Sequence, residues 1–204
     1  MQILKYEFIG KERYNIYLSN GEVLELYEPV ITENELLLKK EIDVNLYSKI
    51  NSDNEVYKFV EMAIKYISLR LRSIKEIEIY LERKKVSTDI IKQVVEKLIQ
   101  KGYLDDDRFA IAFIKDKLNF TTMGDYKIKM ELDRLGVSPS IIEKNINLID
   151  ELTVENKMKK IIEKDIRTNK KHSGIALKNK IYNHLLTSGY SKEKVINIIN
   201  KYNF

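Results

Sequence analysis

The chain contains no cysteine, and it has only two prolines and seven glycines in 204 residues. Without cysteine it has no disulfide, no thiolate nucleophile and no cysteine-ligated zinc or iron–sulfur site. With only two histidines, a metal site would consist mainly of carboxylates. Few prolines and glycines suit helices better than the tight turns of an all-β or α/β chain, so the composition predicts a mostly α protein.

The sequence also lacks several functional signals. Its first residues, Met1–Ile9, have neither the basic start nor the apolar run of a signal peptide, and no stretch approaches the roughly 18 apolar residues of a membrane span. Neither a phosphate-binding glycine loop nor the nucleophile motif G-x-S-x-G occurs, and His172 and His184 are predicted to be surface residues. We therefore expect a cytoplasmic protein with no membrane segment, no cofactor, no metal and no catalytic residue.

Charge is distributed unevenly along the chain, whose formal net charge is +5. Residues 1–54 hold six Lys/Arg against ten Asp/Glu, a net charge of −4, whereas residues 55–204 hold 30 against 21, a net charge of +9. A basic region beside an acidic one favours contact between the C-terminal part and a polyanion. An AT-rich genome would also enrich lysine, so charge alone leaves both interpretations open.

Near the N-terminus, short runs of alternating apolar residues predict a small β-hairpin or a three-stranded sheet. Asn20 and Gly21 lie between two of these runs and tolerate the positive φ of a tight hairpin turn. Residues 28–40 look helical, and residues 43–53 are predicted to be a short helix or a linker. We assign residues 1–54 to a β-rich extension that is too small to bury much apolar surface alone.

From residue 55 onward the apolar period changes to 3.6, which predicts amphipathic helices. A leucine, a polar stretch, an apolar residue and a capping serine occur in this order three times. The serines are Ser87, Ser138 and Ser191, spaced by 51 and 53 residues. Tandem helical triplets stack and bury one another's faces, so the sequence predicts three three-helix repeats in an elongated, curved array. The predicted repeats span residues 55–104, 105–150 and 151–204.

Local signals mark several helix ends. Ser73 and Glu76 have the spacing of a capping box, and Gly102 is predicted to end a helix in the left-handed conformation. Asp105–Asp107 is the densest acidic cluster, and clustered carboxylates can hold Mg²⁺ in a nuclease. Acidic residues also stabilise the first turn of a helix. Because no second carboxylate cluster has a matching spacing, we predict that these residues cap a helix.

Basic residues occur at matching places in the first two predicted repeats, mostly near helix ends. These candidate DNA- or partner-contacting residues are Arg70, Arg72, Arg83, Lys84, Lys85, Lys115, Lys117, Lys127 and Arg134. Cations at helix C-termini also stabilise the helix dipole by a few tenths of a kcal/mol each. Their recurrence favours a basic track along the repeats.

Four tyrosines can stack on bases or pack in the core. They are Tyr66, Tyr80, Tyr103 and Tyr126.

An ordered set of short motifs extends over about residues 60–150. The motifs are Ser68–Ser73, Glu76, Leu81, Leu98, Gly102–Asp106, Phe109–Ala110, Gly124, Leu132 and Gly136–Val137. Through these motifs the chain resembles the RecX family, regulators of the bacterial RecA recombinase. Lys85 departs from the pattern, because the first repeat of the family usually has glycine there. Lys115 and Lys117 replace an arginine-centred pattern, and the third repeat is the least regular copy.

The resemblance implies a non-enzymatic modulator, and more specifically an inhibitor, of RecA in homologous recombination, DNA repair and the SOS response. Such a protein binds along the groove of the RecA–DNA filament and limits filament extension, ATP hydrolysis and strand exchange. The implied partners are the RecA filament and, weakly and without sequence preference, single- and double-stranded DNA, with the protein acting as a monomer. A stand-alone DNA-binding module of the helix-turn-helix type is the alternative, and a carboxylate–metal nuclease is a third hypothesis.

Overall fold

Ten α-helices follow a three-stranded sheet in the computed structural model, which describes residues 1–204. The strands are β1 (Ile3–Gly10), β2 (Arg13–Leu18) and β3 (Val23–Tyr27). The helices are α1 (Glu28–Glu33), α2 (Val44–Ile67), α3 (Ile74–Arg83), α4 (Thr88–Gln100), α5 (Asp106–Phe120), α6 (Asp125–Arg134), α7 (Pro139–Ile146), α8 (Glu151–Thr168), α9 (Gly174–Thr187) and α10 (Lys192–Ile199). This confirms the predicted mostly α fold with a small N-terminal sheet.

The chain forms two compact units, which we describe separately. Unit 1 comprises Met1–Leu71 and Ile77–Leu104. Unit 2 comprises Arg72–Glu76, where α3 begins, together with Asp105–Phe204. The boundaries of the three repeats therefore stay a proposal, although the helices from α2 to α10 occur in three sets of three.

In unit 1 the sheet is antiparallel with the strand order β1-β2-β3, so the three-stranded form of the N-terminal prediction is correct. The turn between β2 and β3 contains Gly21 with φ of +84°, as the Asn-Gly pair predicted. Alternate residues of β2 and β3 are buried, because successive side chains of a strand point to opposite faces. The buried residues are Ile16, Leu18, Leu24 and Leu26. This apolar face packs through β3 against α1 and α2.

Two predictions about the segment after β3 need correction. Helix α1 ends at Glu33 instead of continuing through residues 28–40, because Glu35 adopts a left-handed φ of +54° that an α-helix cannot contain. Residues 43–53 are neither a linker nor a separate short helix. They begin the 24-residue helix α2, where the Asp43 side chain accepts a hydrogen bond from the Leu46 amide.

The second helix of each triplet ends in the same way in α3, α6 and α9. An amide beyond the helix reaches back to the carbonyl five residues earlier, the hydrogen bond of a Schellman motif. These bonds run from Val86 to Leu81 (3.2 Å), from Val137 to Leu132 (3.1 Å) and from Tyr190 to Leu185 (3.2 Å). The residue before each donor has positive φ: Lys85 (+61°), Gly136 (+80°) and Gly189 (+91°). The same helix end thus recurs at the corresponding place of each triplet, although α1 and α4 also end in this way.

The predicted helix caps are also present. Each repeated serine accepts a hydrogen bond from the amide three residues later, in the order Ser87 from Ile90, Ser138 from Ile141 and Ser191 from Lys194. Ser73 and Glu76 form the reciprocal capping box, since each side chain accepts from the other residue's amide at 3.2 Å. Gly102 follows α4 with φ of +72°. The sequence therefore predicted these helix boundaries correctly.

Unit 2 contains two apolar cores. One lies among α5, α6 and α7, and its buried residues are Phe109, Ala110, Ile114, Ile128, Leu132, Val137 and Ile142. The other lies among α8, α9 and α10, and its buried residues are Val154, Met158, Ile161, Ile162, Leu177, Ile181, Leu185, Tyr190, Val195, Ile198 and Ile199. Ile149, between α7 and α8, packs against both. The two cores use the apolar stripes that the 3.6-residue period predicted.

Candidate nucleic-acid and partner interface

In unit 1, the predicted basic residues Arg83–Lys85 lie exposed at the end of α3. None of the three forms an ion pair. The Lys84 Nζ atom lies 5.9 Å from the centre of the Tyr80 ring, and this ring stacks on Tyr66 at 4.1 Å with an interplanar angle of 9°. The two half-buried rings contact each other, so the base-stacking role considered for them stays a prediction. Arg70, exposed beyond α2, donates a hydrogen bond to its neighbour's carbonyl.

In unit 2, four predicted residues lie on α5 and α6. Lys115 and Arg134 are exposed, whereas Lys117 and Lys127 are half-buried. None of the four forms an ion pair. The Lys117 Nζ atom lies 4.9 Å from the centre of the Phe113 ring, within the range of a cation–π contact. No carboxylate neutralises these four cations, so their charges remain available to an anionic partner.

Arg72 differs from the other candidates. Its side chain is only 10% exposed, and its guanidinium lies 3.4 Å from the carboxylate of Glu76. The same carboxylate accepts the hydrogen bond from the Ser73 amide in the capping box. This arrangement supports a structural role for Arg72 at the start of α3 more than a contact with a partner.

A half-buried lysine that the sequence did not single out connects α8 to the end of α5. Lys157 donates hydrogen bonds to the carbonyl oxygens of Lys117 (3.2 Å) and Met123 (3.3 Å). Burial lowers the pKa of Lys157, because removal from water disfavours its charged form. The ammonium group nevertheless satisfies carbonyls at a helix C-terminus, where a cation is favourable.

Beyond Lys157, α8 and the following turn carry further exposed cations that were not predicted from the sequence. They are Lys160, Lys164, Arg167, Lys170 and Lys171. The prediction covered only cations at matching positions of the first two repeats, and these residues lie in the third. The spacing of the first three, at i, i+4 and i+7, is a signal of one helix face that would have found them.

Other lysines are engaged in contacts within the fold. In unit 1, Lys97 of α4 lies 2.9 Å from Glu33 of α1, and it donates a hydrogen bond to the Tyr57 hydroxyl at 3.2 Å. Burial raises the pKa of Glu33, but hydrogen bonds from Tyr57 and Lys97 outweigh it and lower the pKa below 4.5. This network attaches the end of α1 to α2 and α4. Lys97 thus stabilises the fold through its partners, whereas the exposed lysines described above carry charges that no carboxylate neutralises.

The acidic cluster serves the fold. Asp105 caps α5 by accepting hydrogen bonds from the amides of Asp107 (2.9 Å) and Arg108 (3.0 Å), which confirms the predicted cap. Asp107 accepts hydrogen bonds from Asn145 (2.8 Å) and Lys144 (2.9 Å). These two bonds lower the pKa of Asp107, so its carboxylate stays ionised and joins α5 to α7.

Both histidines are exposed, as predicted. The Nδ1 atom of His184 lies 2.6 Å from a carboxylate oxygen of Asp165, which links α9 to α8. None of the ten helices combines the length and the apolar run required to span a bilayer.

Helical triplets with identical helix ends and unpaired cations define a tandem-repeat protein with basic surfaces. Residues 61–98 match the family model of the first three-helix domain of RecX, and residues 105–144 match that of the second. The chain is 34% identical over 186 residues to the regulatory protein RecX of Halalkalibacterium halodurans, and 32% identical over 190 residues to that of Bacillus cytotoxicus. These alignments cover 89% and 91% of this chain and 70% of each relative.

The chain therefore belongs to the RecX family, as the sequence motifs predicted. Its relatives are described as regulatory proteins and not as an enzyme family. The crystal structure of RecX from Lactobacillus salivarius matches with a TM-score of 0.68 and 27% identity, over 73% of this chain and 97% of that one. Another RecX crystal structure has the same fold, with a TM-score of 0.85 over 98% of this chain and 23% identity.

Proposed function

We propose that this chain is a non-enzymatic modulator of the RecA recombinase, which binds along the groove of the RecA–DNA filament as a monomer. Binding there limits filament extension, and with it ATP hydrolysis and strand exchange. The observation that carries this proposal is the similarity to RecX regulatory proteins over about nine-tenths of the chain. A cytoplasmic location follows from the same proposal, since a recombinase filament assembles on chromosomal DNA.

The unpaired cations support an anionic partner. Seven of the nine predicted contact residues form no ion pair, and five of these seven are exposed. The exposed five are Arg83, Lys84, Lys85, Lys115 and Arg134. Lysine and arginine contacts to phosphates position a protein on nucleic acid without reading its sequence. The DNA contact proposed for these residues is therefore weak and independent of sequence.

The test is ATP hydrolysis by the cognate RecA on single-stranded DNA, with this protein added below stoichiometry. We expect the rate to fall, and an unchanged rate would contradict the proposal. In the variant Arg83→Gln/Lys84→Gln, several-fold more protein should be needed for the same inhibition. The matched control is Lys49→Gln/Lys58→Gln, which removes two exposed, unpaired lysines that lie 180° apart around α2.

A stand-alone DNA-binding regulator is the second candidate, favoured by the net charge of +9 in residues 55–204 and by the short three-helix units. That function requires tight, sequence-selective binding to free DNA with a steep dependence on salt. Binding titrations of the chain against a pool of random duplexes distinguish the two functions. Enrichment of one sequence would favour the DNA-binding regulator, whereas weak binding without enrichment would favour the recombinase modulator.

A further inference from the structure

The outer face of α8 carries a row of cations that the contacts of the fold leave unneutralised. We call Lys160, Lys164 and Arg167 the α8 stripe; Lys170 and Lys171 follow it in the turn after the helix. All five side chains are exposed, and none forms an ion pair. The α8 stripe lines a shallow depression of about 140 Å³, together with a single acidic side chain, Glu163.

The position of the stripe on α8 is set by the core. The buried residues of this helix are Val154, Met158, Ile161 and Ile162, so the stripe lies on the side facing solvent. Two other lysines of α8 have partners: Lys157 binds carbonyl oxygens, and Lys159 lies 2.8 Å from Glu155. Lys157 and Lys159, which lie nearer the core, thus have partners within the fold, whereas Lys160 and Lys164 on the outer face have none.

Helix stability explains only part of this arrangement. Arg167 lies in the last turn, where a cation favourably opposes the helix dipole. Lys160 lies mid-helix, and like charges at positions i and i+4 cost a helix about 0.2–0.5 kcal/mol. Glu163, three residues after Lys160, offsets a cost of this size, so helix stability gives no net reason for the pair of Lys160 and Lys164.

We propose that the α8 stripe binds the phosphate backbone of nucleic acid. Its three cations extend over seven residues, or about 10 Å along the helix axis. One DNA strand carries a phosphate about every 3.4 Å along its axis, so the stripe can face about three phosphates of one strand. No aromatic side chain lines the depression, so the contact involves phosphates without base stacking and does not depend on sequence.

This surface lies outside both segments that match the RecX domain models, residues 61–98 and 105–144. It gives the DNA a contact in the third helical triplet, in addition to the candidate cations of the first two. The inference rests on the proposed function for its DNA partner, but its test uses no recombinase. An acidic protein surface is the competing partner, and the same test distinguishes the two.

The experiment measures binding of the full chain to a fluorescent 30-base-pair duplex of mixed sequence over a range of salt concentrations. The stripe variant is Lys160→Gln/Lys164→Gln/Arg167→Gln. The matched control, Lys49→Gln/Lys58→Gln/Lys92→Gln, also removes three exposed, unpaired cations from helices. Each lost phosphate contact lowers the slope of log K against log salt by about 0.9. We expect the stripe variant to lose about tenfold in affinity and roughly 2–3 in slope, and the control to stay within twofold.

Three results would overturn the inference: no binding by the wild-type chain, wild-type affinity in the stripe variant, or an equal loss in the control. The conservative variant Lys160→Arg/Lys164→Arg/Arg167→Lys should retain binding, so a loss in both stripe variants would indicate damage to the fold and also contradict the inference. The ATPase assay separates this inference from the proposed function. Unchanged RecA hydrolysis with DNA binding through the stripe would refute only the proposed function.

Discussion

Replacement of Gly124 by alanine tests whether the contact at the start of α6 depends on the absence of a side chain. The Gly124 amide donates a hydrogen bond to Ser188 O at 2.8 Å, and the Tyr126 amide donates to Gly189 O at 3.1 Å. A Cβ atom on Gly124 would lie 2.4 Å from Gly189 O and 2.6 Å from Tyr190 N. Both are backbone atoms and cannot rotate away, so the end of α9 would have to move.

The expected loss of stability follows from these contacts. Restoring a distance near 3.5 Å needs a shift of about 1 Å, which weakens two hydrogen bonds worth about 1 kcal/mol each. Overpacking adds about 1–3 kcal/mol. Because φ of Gly124 is −82°, alanine fits this backbone, and the lower entropy of its unfolded chain stabilises the fold by about 0.4–1 kcal/mol. Gly124 is also the N-cap of α6, where alanine is a poorer cap than glycine, and this loss of about the same size cancels the gain. The net loss is about 3–5 kcal/mol.

For a chain of this size, such a loss lowers the melting temperature by roughly 6–20 °C. Circular dichroism measures this change, and hydrogen exchange at the Tyr126 amide reports the local contact. The control is Gly174→Ala, where φ is +57° and no atom lies within 4 Å of the added Cβ, so only backbone strain of about 1–2 kcal/mol applies. Gly124→Ala variants as stable as wild type, or no less stable than the control, would refute the packing argument.

Two further predictions concern unit 1. Lys85→Gly should raise the free energy of unfolding by about 0.5–1 kcal/mol, because φ of +61° strains any residue but glycine; a lower midpoint in urea would contradict this. Hydrogen bonds from Tyr57 and Lys97 lower the pKa of Glu33 in the folded protein. Its ionised carboxylate therefore stabilises the fold above pH 4.5, and this stabilisation is lost as the pH falls through the folded pKa. Urea unfolding at pH 7 and pH 3 should show a stability advantage of wild type over Glu33→Gln that shrinks in acid, and a constant difference would refute the assignment.

The helix ends could be predicted from sequence because short-range contacts determine them. The capping serines accept hydrogen bonds three residues away, and Gly102 and Gly136 have the positive φ that ends their helices. Lys85 has the same conformation without glycine, and only its place in the repeat identifies it. A repeated pattern thus predicts backbone geometry even where the usual residue is missing.

Contacts between residues distant in sequence could not be predicted. Helix α1 ends early, and there the side chain of the buried Asn34 bridges the Val30 carbonyl and Asp53, 19 residues away. Arg72 was predicted to contact a partner, but its side chain is only 10% exposed in the structure, and the local sequence does not show this burial. The α8 stripe was missed for the opposite reason, since its cations have no counterparts in the other repeats. The sequence shows which side chains are basic, whereas only the folded structure shows which of them form ion pairs with a carboxylate.

In unit 2, the start of one helix donates a hydrogen bond to a carbonyl at the end of another helix at two places, and the donor group differs between them. The Ser73 hydroxyl donates to Leu135 O at 2.7 Å at the start of α3, whereas the Gly124 amide donates to Ser188 O at 2.8 Å at the start of α6. Each accepting carbonyl precedes a glycine with positive φ.

Those two glycines also make equivalent contacts. A Cβ on Gly136 would lie 2.4 Å from the Cβ of Lys75, and a Cβ on Gly189 would lie 2.2 Å from that of Lys127. Both sites thus require close approach between a helix start and a helix end, but the donor can be a hydroxyl or an amide. The backbone geometry is therefore the repeated feature, whereas side chains at matching positions of two repeats can have different roles. The same reasoning applies to the cations, whose function depends on whether their own repeat supplies a partner.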